Sequence, residues 1–270
     1  MNPAAAHQPI GIFDSGIGGL TVAHAVAKAL PGERLLYFGD TAHLPYGDKS
    51  ADAIRFYCLK IAKFLLDRGC KMIVVACNSA SSAGYEVLLE FFREQALFVN
   101  VVDPLVEAAS CLGLDRVGVI GTKATIHSRV YQSRLAHARP EMKVGALATP
   151  LLAPMIEEGF VHNRISSVVL DTYLSDPVLQ DIEGLLLACT HYPLIKADIR
   201  QWYRRPVHIL DSTDVVVDIV RQKLEQRGLL NETSPLEAHR FYVSDYTEAF
   251  EKATTLFYGA TVHLEEVPIW

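Results

Sequence analysis

Several features that would assign this chain quickly are missing. No apolar run approaches the 18 or more residues of a membrane span, so no spanning helix is expected. Met1 to Pro9 offers neither a charged leader nor an apolar stretch, which argues against a secretory signal. Basic residues are outnumbered, 25 against 31 acidic ones, and form no local cluster, which speaks against a nucleic-acid surface. The five cysteines (Cys58, Cys70, Cys77, Cys111 and Cys189) are odd in number and contain no C-x-x-C pair. A zinc ribbon or thioredoxin-type motif is thereby disfavoured. The ten histidines show no H-x-x-x-H or H-E-x-x-H spacing, so no metal centre is expected. These absences together point to a cytoplasmic protein with reduced thiols.

What is present is a core and a regular alternation. Half of the 270 residues are apolar, enough for one large or two medium domains. Short apolar runs read as strands at Ile10–Phe13, Leu35–Phe38, Lys71–Ala76, Phe98–Val102, Val117–Ile120, Val144–Ala148, Gly184–Ala188 and Val207–Leu210. Helical segments separate them, among them Leu20–Ala29, Ser50–Arg68, Ser81–Gln95, Thr125–His137 and Arg164–Leu174. Strands near Arg240–Ser244 and Thr261–Glu265 flank a last helix, Tyr246–Tyr258. Such alternation predicts an α/β fold of mainly parallel sheets with helices on both faces. Ligands in such folds sit beyond the carboxyl ends of the strands, where Asp14, Asp40, Cys77, Gly121 and Cys189 fall.

Two segments stand out within that pattern. Val74-Val75-Ala76-Cys77-Asn78-Ser79 and Leu186-Leu187-Ala188-Cys189-Thr190-His191 each run from an apolar strand into Ala-Cys and then small polar residues. A thiol at a strand exit, with hydrogen-bonding groups just after it, is suited to reactivity. A fainter echo links Ile10-Gly11-Ile12-Phe13-Asp14-Ser15 to Val117-Gly118-Val119-Ile120-Gly121-Thr122. Together they predict two similar three-layer α/β lobes with a cleft between them, one thiol from each lobe. The lobes are expected at 1–98 plus 211–270, carrying Cys77, and at 99–210, carrying Cys189. Cys58, Cys70 and Cys111 lie in helical stripes or at a turn and read as small core residues.

Other motifs stay ambiguous from local sequence. Asp14-Ser15-Gly16-Ile17-Gly18-Gly19 fails the dinucleotide fingerprint, because Thr21 stands where its third glycine belongs. It is either a tight capped turn or a ligand loop. Pro45-Tyr46-Gly47 is a turn by composition. Asn78-Ser79 and Thr190-His191 serve equally as helix caps or as carboxylate donors. His191, two residues after Cys189, is placed to hold a proton or tune the thiol.

At these residues the chain resembles the cofactor-independent glutamate racemases of bacterial cell-wall synthesis. The likeness runs through Gly11 to Val22, Gly39 to Ala42, Pro45 to Gly47, Ala76 to Ala80, Pro154 to Gly159 and Ala188 to Leu194. It implies an isomerase that interconverts L- and D-glutamate without cofactor or metal, by proton transfer at the α-carbon. It makes Cys77 and Cys189 the two catalytic thiols, with Asp14, Glu157 and His191 assisting proton transfer. Substrate binding falls to Asp14, Ser15, Pro45, Tyr46, Gly47, Cys77, Asn78, Ser79, Cys189, Thr190 and His191. It also implies that the second lobe is inserted in the first. Homodimers are common among such proteins, although no interface signature is visible here. Two positions depart from the family pattern: Ser79 replaces the usual threonine, and His43 replaces a common arginine. An aspartate or hydantoin racemase with the same chemistry is the alternative, since substrate length does not follow from spacing.

Overall fold

The structure, a computed structural model, describes residues 3–235 and 237–270. A short helix, α1 (Pro3–Ala6), precedes four strands that alternate with three helices: β1 (Ile10–Asp14), α2 (Leu20–Ala29), β2 (Leu35–Gly39), α3 (Ala51–Asp67), β3 (Met72–Val75), α4 (Asn78–Phe92) and β4 (Leu97–Asn100). The chain then builds α5 (Val102–Cys111), β5 (Arg116–Gly121), α6 (Lys123–His127), α7 (Val130–Ala138), β6 (Lys143–Ala148), α8 (Leu152–Glu157), α9 (Arg164–Leu174), β7 (Gly184–Ala188), α10 (Lys196–Tyr203) and β8 (His208–Asp211). It closes with α11 (Ser212–Gln226), β9 (Arg240–Val243), α12 (Glu248–Tyr258) and β10 (Leu264–Glu266).

These strands form two sheets, ordered β10-β9-β2-β1-β3-β4 and β6-β5-β7-β8. Every pairing is parallel. Strands β1, β2, β3 and β7 are buried along their whole length, as parallel strands covered on both faces must be. Each fully buried branched side chain in them contributes about 1.5–3 kcal/mol. The order β2-β1-β3-β4 in the first sheet is the order β6-β5-β7-β8 in the second. The faint sequence echo is therefore a topological repeat, with β1 matching β5 and β3 matching β7.

The lobe boundary differs from the sequence expectation. A cut at 98/99 passes through β4, whose Phe98 and Val99 pair with Ile73 and Val74 of β3. The first lobe thus extends through Asn100. At the return, Asp211 pairs with Leu187 and still belongs to the second sheet. An apolar run such as Phe98–Val102 reads the same whichever sheet it joins, so sequence did not fix its partner. The two connecting helices pack on each other, α5 also on β7, β8 and α7, and α11 also on α2, β4 and β8. One apolar cluster consequently runs through both lobes, from Val26 and Tyr37 to Leu187 and Val220.

Two helices also start or stop differently from the expectation. Helix α4 begins at Asn78 rather than Ser81, with Cys77 itself as its cap. The stretch Thr125–His137 is two helices, broken where Arg129 takes a left-handed backbone, φ 57°.

Candidate active site

The carboxyl ends of β1, β3, β5 and β7 meet between the lobes and enclose a cavity of about 210 Å³. Ser15, Pro45, Tyr46, Gly47, Cys77, Asn78, Ser79, Glu157, Cys189, Thr190 and His191 all line it. Gly16, Leu44, Thr122, Ala153, Pro154 and Ala188 complete the wall. Among the described residues no lysine or arginine lines the cavity. An anion there would meet hydroxyls, amides, two thiols and one imidazole, with the Glu157 carboxylate paired to that imidazole.

Cys77 is held by the start of α4. Its Sγ accepts the Ala80 N–H at 3.4 Å and lies 3.6 Å from Ser15 Oγ. Burial, and then the neighbouring Asp14, push this thiol up to about 12, against the pull of Ala80 N–H and Ser15. Cys189 has different company. Its Sγ lies 3.6 Å from His191 Nδ1, and the opposite nitrogen of that ring lies 2.8 Å from Glu157 Oε1. Burial opposes a charge on His191, but Cys189 and then Glu157 outweigh it and raise the imidazole to about 10. Phe257 of α12 meets the ring edge-on at 5.1 Å and closes it from the first lobe.

Asp14 is fully buried and does not line the cavity. It accepts the Gly16 N–H at 3.1 Å, and the Thr190 hydroxyl donates to it at 3.5 Å. Burial raises its carboxyl above the ordinary value, and His191 is the strongest opposing influence. Its reach into the cavity is through Thr190 and Cys77 rather than direct.

The glycine turn after β1 is used for close approach. A side chain at Gly18 would collide with the His191 ring and the Thr190 hydroxyl, so the first lobe can seat against the second only without one. Thr21 ties the same contact by donating to the Thr190 carbonyl at 3.0 Å. Opposite, a Cβ on Gly47 would stand 2.8 Å from Thr122 Cβ.

The Pro45–Gly47 loop is anchored from below. Tyr46 donates to Asp40 Oδ2 at 2.6 Å, and Ser244 donates to Oδ1 at 2.7 Å. Burial, followed by Asp40, raises the Tyr46 phenol, so it stays a donor. His43 lies off the cavity, 3.0 Å from Asp40 and stacked on Tyr57. The Ser79 hydroxyl lies 2.8 Å from that of Thr122 in the other lobe.

Sequence reasoning did not single out Asp40 or Thr122 as site residues. The signal for Thr122 was present: in the topological repeat it occupies the place of Ser15, one residue beyond the end of β5. Asp40 gave a weaker one, an acidic residue at a strand exit.

The cleft can be set beside known proteins. The family model for Asp/Glu/Hydantoin racemase matches residues 20–220. The glutamate racemase of Geobacter metallireducens is 41% identical over 253 residues, 93% of this chain and 93% of that one. The glutamate racemase of Francisella tularensis, solved in complex with D-glutamate, superposes with a TM-score of 0.91 at 36% identity over 98% of each chain. That of Thermus thermophilus, solved with β-chloro-D-alanine, gives 0.88 at 39% identity over 97% of each.

Proposed function

The chain belongs to the Asp/Glu/Hydantoin racemase family, and from that premise we propose that it interconverts L- and D-glutamate through the thiols of Cys77 and Cys189. The single observation that carries this reading is the placement of both thiols in one small cavity, at matching strand ends of matching lobes. A proton can then leave one face of the α-carbon while another arrives at the opposite face.

For L-glutamate, the Cys189 thiolate takes the α-proton, the C–H pair stays on carbon as the carbanion, and the Cys77 thiol delivers its proton to the other face. The turnover ends with Cys189 protonated and Cys77 a thiolate, the form that accepts D-glutamate. His191, charged beside Cys189, supports the first thiolate; the N-terminus of α4 and the Ser15 hydroxyl support the second. The α-proton is weakly acidic, so the carbanion needs help as well. Fixed, buried donors on Asn78, Ser79 and Thr190 suit the substrate carboxylates and the charge that develops on them. Glu157 and Asp14 act one step behind, through His191 and Thr190.

The biological role that goes with this activity is supply of D-glutamate for peptidoglycan in the cytoplasm. Among the described residues no helix is long and apolar enough to cross a membrane. Homodimerisation belongs to the same proposal. The test is incubation with D-glutamate in deuterated water. Deuterium at the α-carbon together with inversion is expected; no incorporation would sink the racemase reading. A panel with aspartate and hydantoins separates glutamate from its alternatives, glutamate being expected to turn over fastest.

A further inference from the structure

Tyr131 lies on α7 of the second lobe, with its ring buried and only 1% exposed. Its hydroxyl donates to Asn78 Oδ1 at 2.6 Å, across the cleft from the first lobe. Asn78 is itself 2% exposed and lines the cavity, yet its Nδ2 has no partner. A buried amide donor without a partner is costly and normally meets one. In the arrangement seen, Oδ1 accepts from the tyrosine and the N–H end of the amide is the free one. With Oδ1 engaged, the side chain has only its two N–H groups left to offer. Rotating the amide by half a turn would instead present a carbonyl oxygen, which repels a carboxylate.

Resting on the reading that the cavity takes glutamate, we infer that Tyr131 is a positioning residue that aims the Asn78 amide so that its N–H groups meet a substrate carboxylate. Donor and acceptor belong to different lobes, so the aim depends on how the lobes pack together. The selectivity it confers is for the anionic end of the substrate and is the same for both enantiomers, whose carboxylates the cavity must hold alike.

The experiment is a mutant cycle with Tyr131→Phe, Asn78→Ala and the double variant. Racemisation is followed in both directions, and D-glutamate binding is measured by calorimetry. The phenylalanine keeps the packed ring and removes only the hydroxyl. Tyr131→Phe is expected to raise KM and weaken D-glutamate binding by about tenfold, with kcat within about threefold, the size of one misdirected hydrogen bond. On the Asn78→Ala background the same change should add less than twofold. Unchanged KM and binding in Tyr131→Phe, a loss confined to kcat, or equal effects on both backgrounds would each overturn the inference. Binding that follows the cycle in a chain that never racemises glutamate would sink the catalytic reading and keep this one. No binding by the wild-type chain removes both.

Discussion

The two thiols occupy equivalent places in equivalent lobes, yet their surroundings differ. Cys77 caps a 15-residue helix, and Ser15 is its nearest side-chain partner. Cys189 is followed by a short 3-10 turn, Tyr192–Ile195, that offers no comparable helix start, and it has His191 and Glu157 instead. On the proposed two-thiol mechanism, one lobe would support a thiolate with backbone dipoles, the other with a titratable cation. The difference cannot favour one direction in kcat/KM, because mirror-image substrates have equal free energy and the ratio must match both ways. It can divide that ratio unequally between kcat and KM, and it makes the site's response to pH depend on one lobe.

The comparison breaks most completely when either thiol is lost. Cys77→Ala and Cys189→Ala should each lower racemisation in both directions by at least about 10³-fold. The surviving thiol should still exchange the α-hydrogen of one enantiomer without inversion: L-glutamate when Cys189 remains, D-glutamate when Cys77 remains. Mass spectrometry after incubation in deuterated water reads both. Full racemisation in either variant would end the two-thiol assignment.

Removing the cation tests the asymmetry itself. His191→Asn should lower kcat/KM by about 10²-fold. In the wild-type chain, against its burial, the His191 imidazole is raised to about 10 by Cys189 and Glu157. Activity should therefore fall as pH rises through about 10, in both directions, because both use the same total number of protons. His191→Asn should erase that fall; a pH-rate profile with the limb intact would assign it elsewhere. The same imidazole is raised from an ordinary 6.5, so its contribution to stability is full below that pH and is lost as pH climbs to about 10. Melting temperatures across that window follow it.

A smaller effect probes the contact between lobes. Ser79→Ala removes the hydroxyl that meets Thr122 and should raise KM by roughly five- to tenfold, whereas Ser79→Thr, which keeps it, should restore most of the loss. Smallest of all is Cys58→Ala. Cys58 is buried between α3 and α4 and does not line the cavity, so kcat and KM should stay within twofold while stability falls by about 1 kcal/mol.

Much of the site was legible because it lies at strand ends. An apolar run that stops at Ala-Cys marks both the end of a buried strand and the cavity-lining position after it, which is how Cys77 and Cys189 could be found. Ser15 and the Pro45–Gly47 turn were ambiguous locally, and only the family resemblance put them at the site. Strand position alone did not show that Asp14, which ends β1 as expected, lies buried behind the cavity wall, where it accepts from Thr190. The lobe boundary was placed inside β4, since a short apolar run carries no record of which sheet will take it up.

From the sequence alone came the alternation of strands and helices, the doubled Ala-Cys segments and hence two lobes with one thiol each, since periodicity and turn chemistry act over a few residues and are written locally. Which group stands beside each thiol was decided by the tertiary structure. Glu157 reaches His191 over 34 positions, Tyr131 reaches Asn78 over 53 and Thr190 reaches Asp14 over 176. Those contacts exist only because two sheets pack through a shared core and bring their strand ends face to face, and no local pattern encodes that.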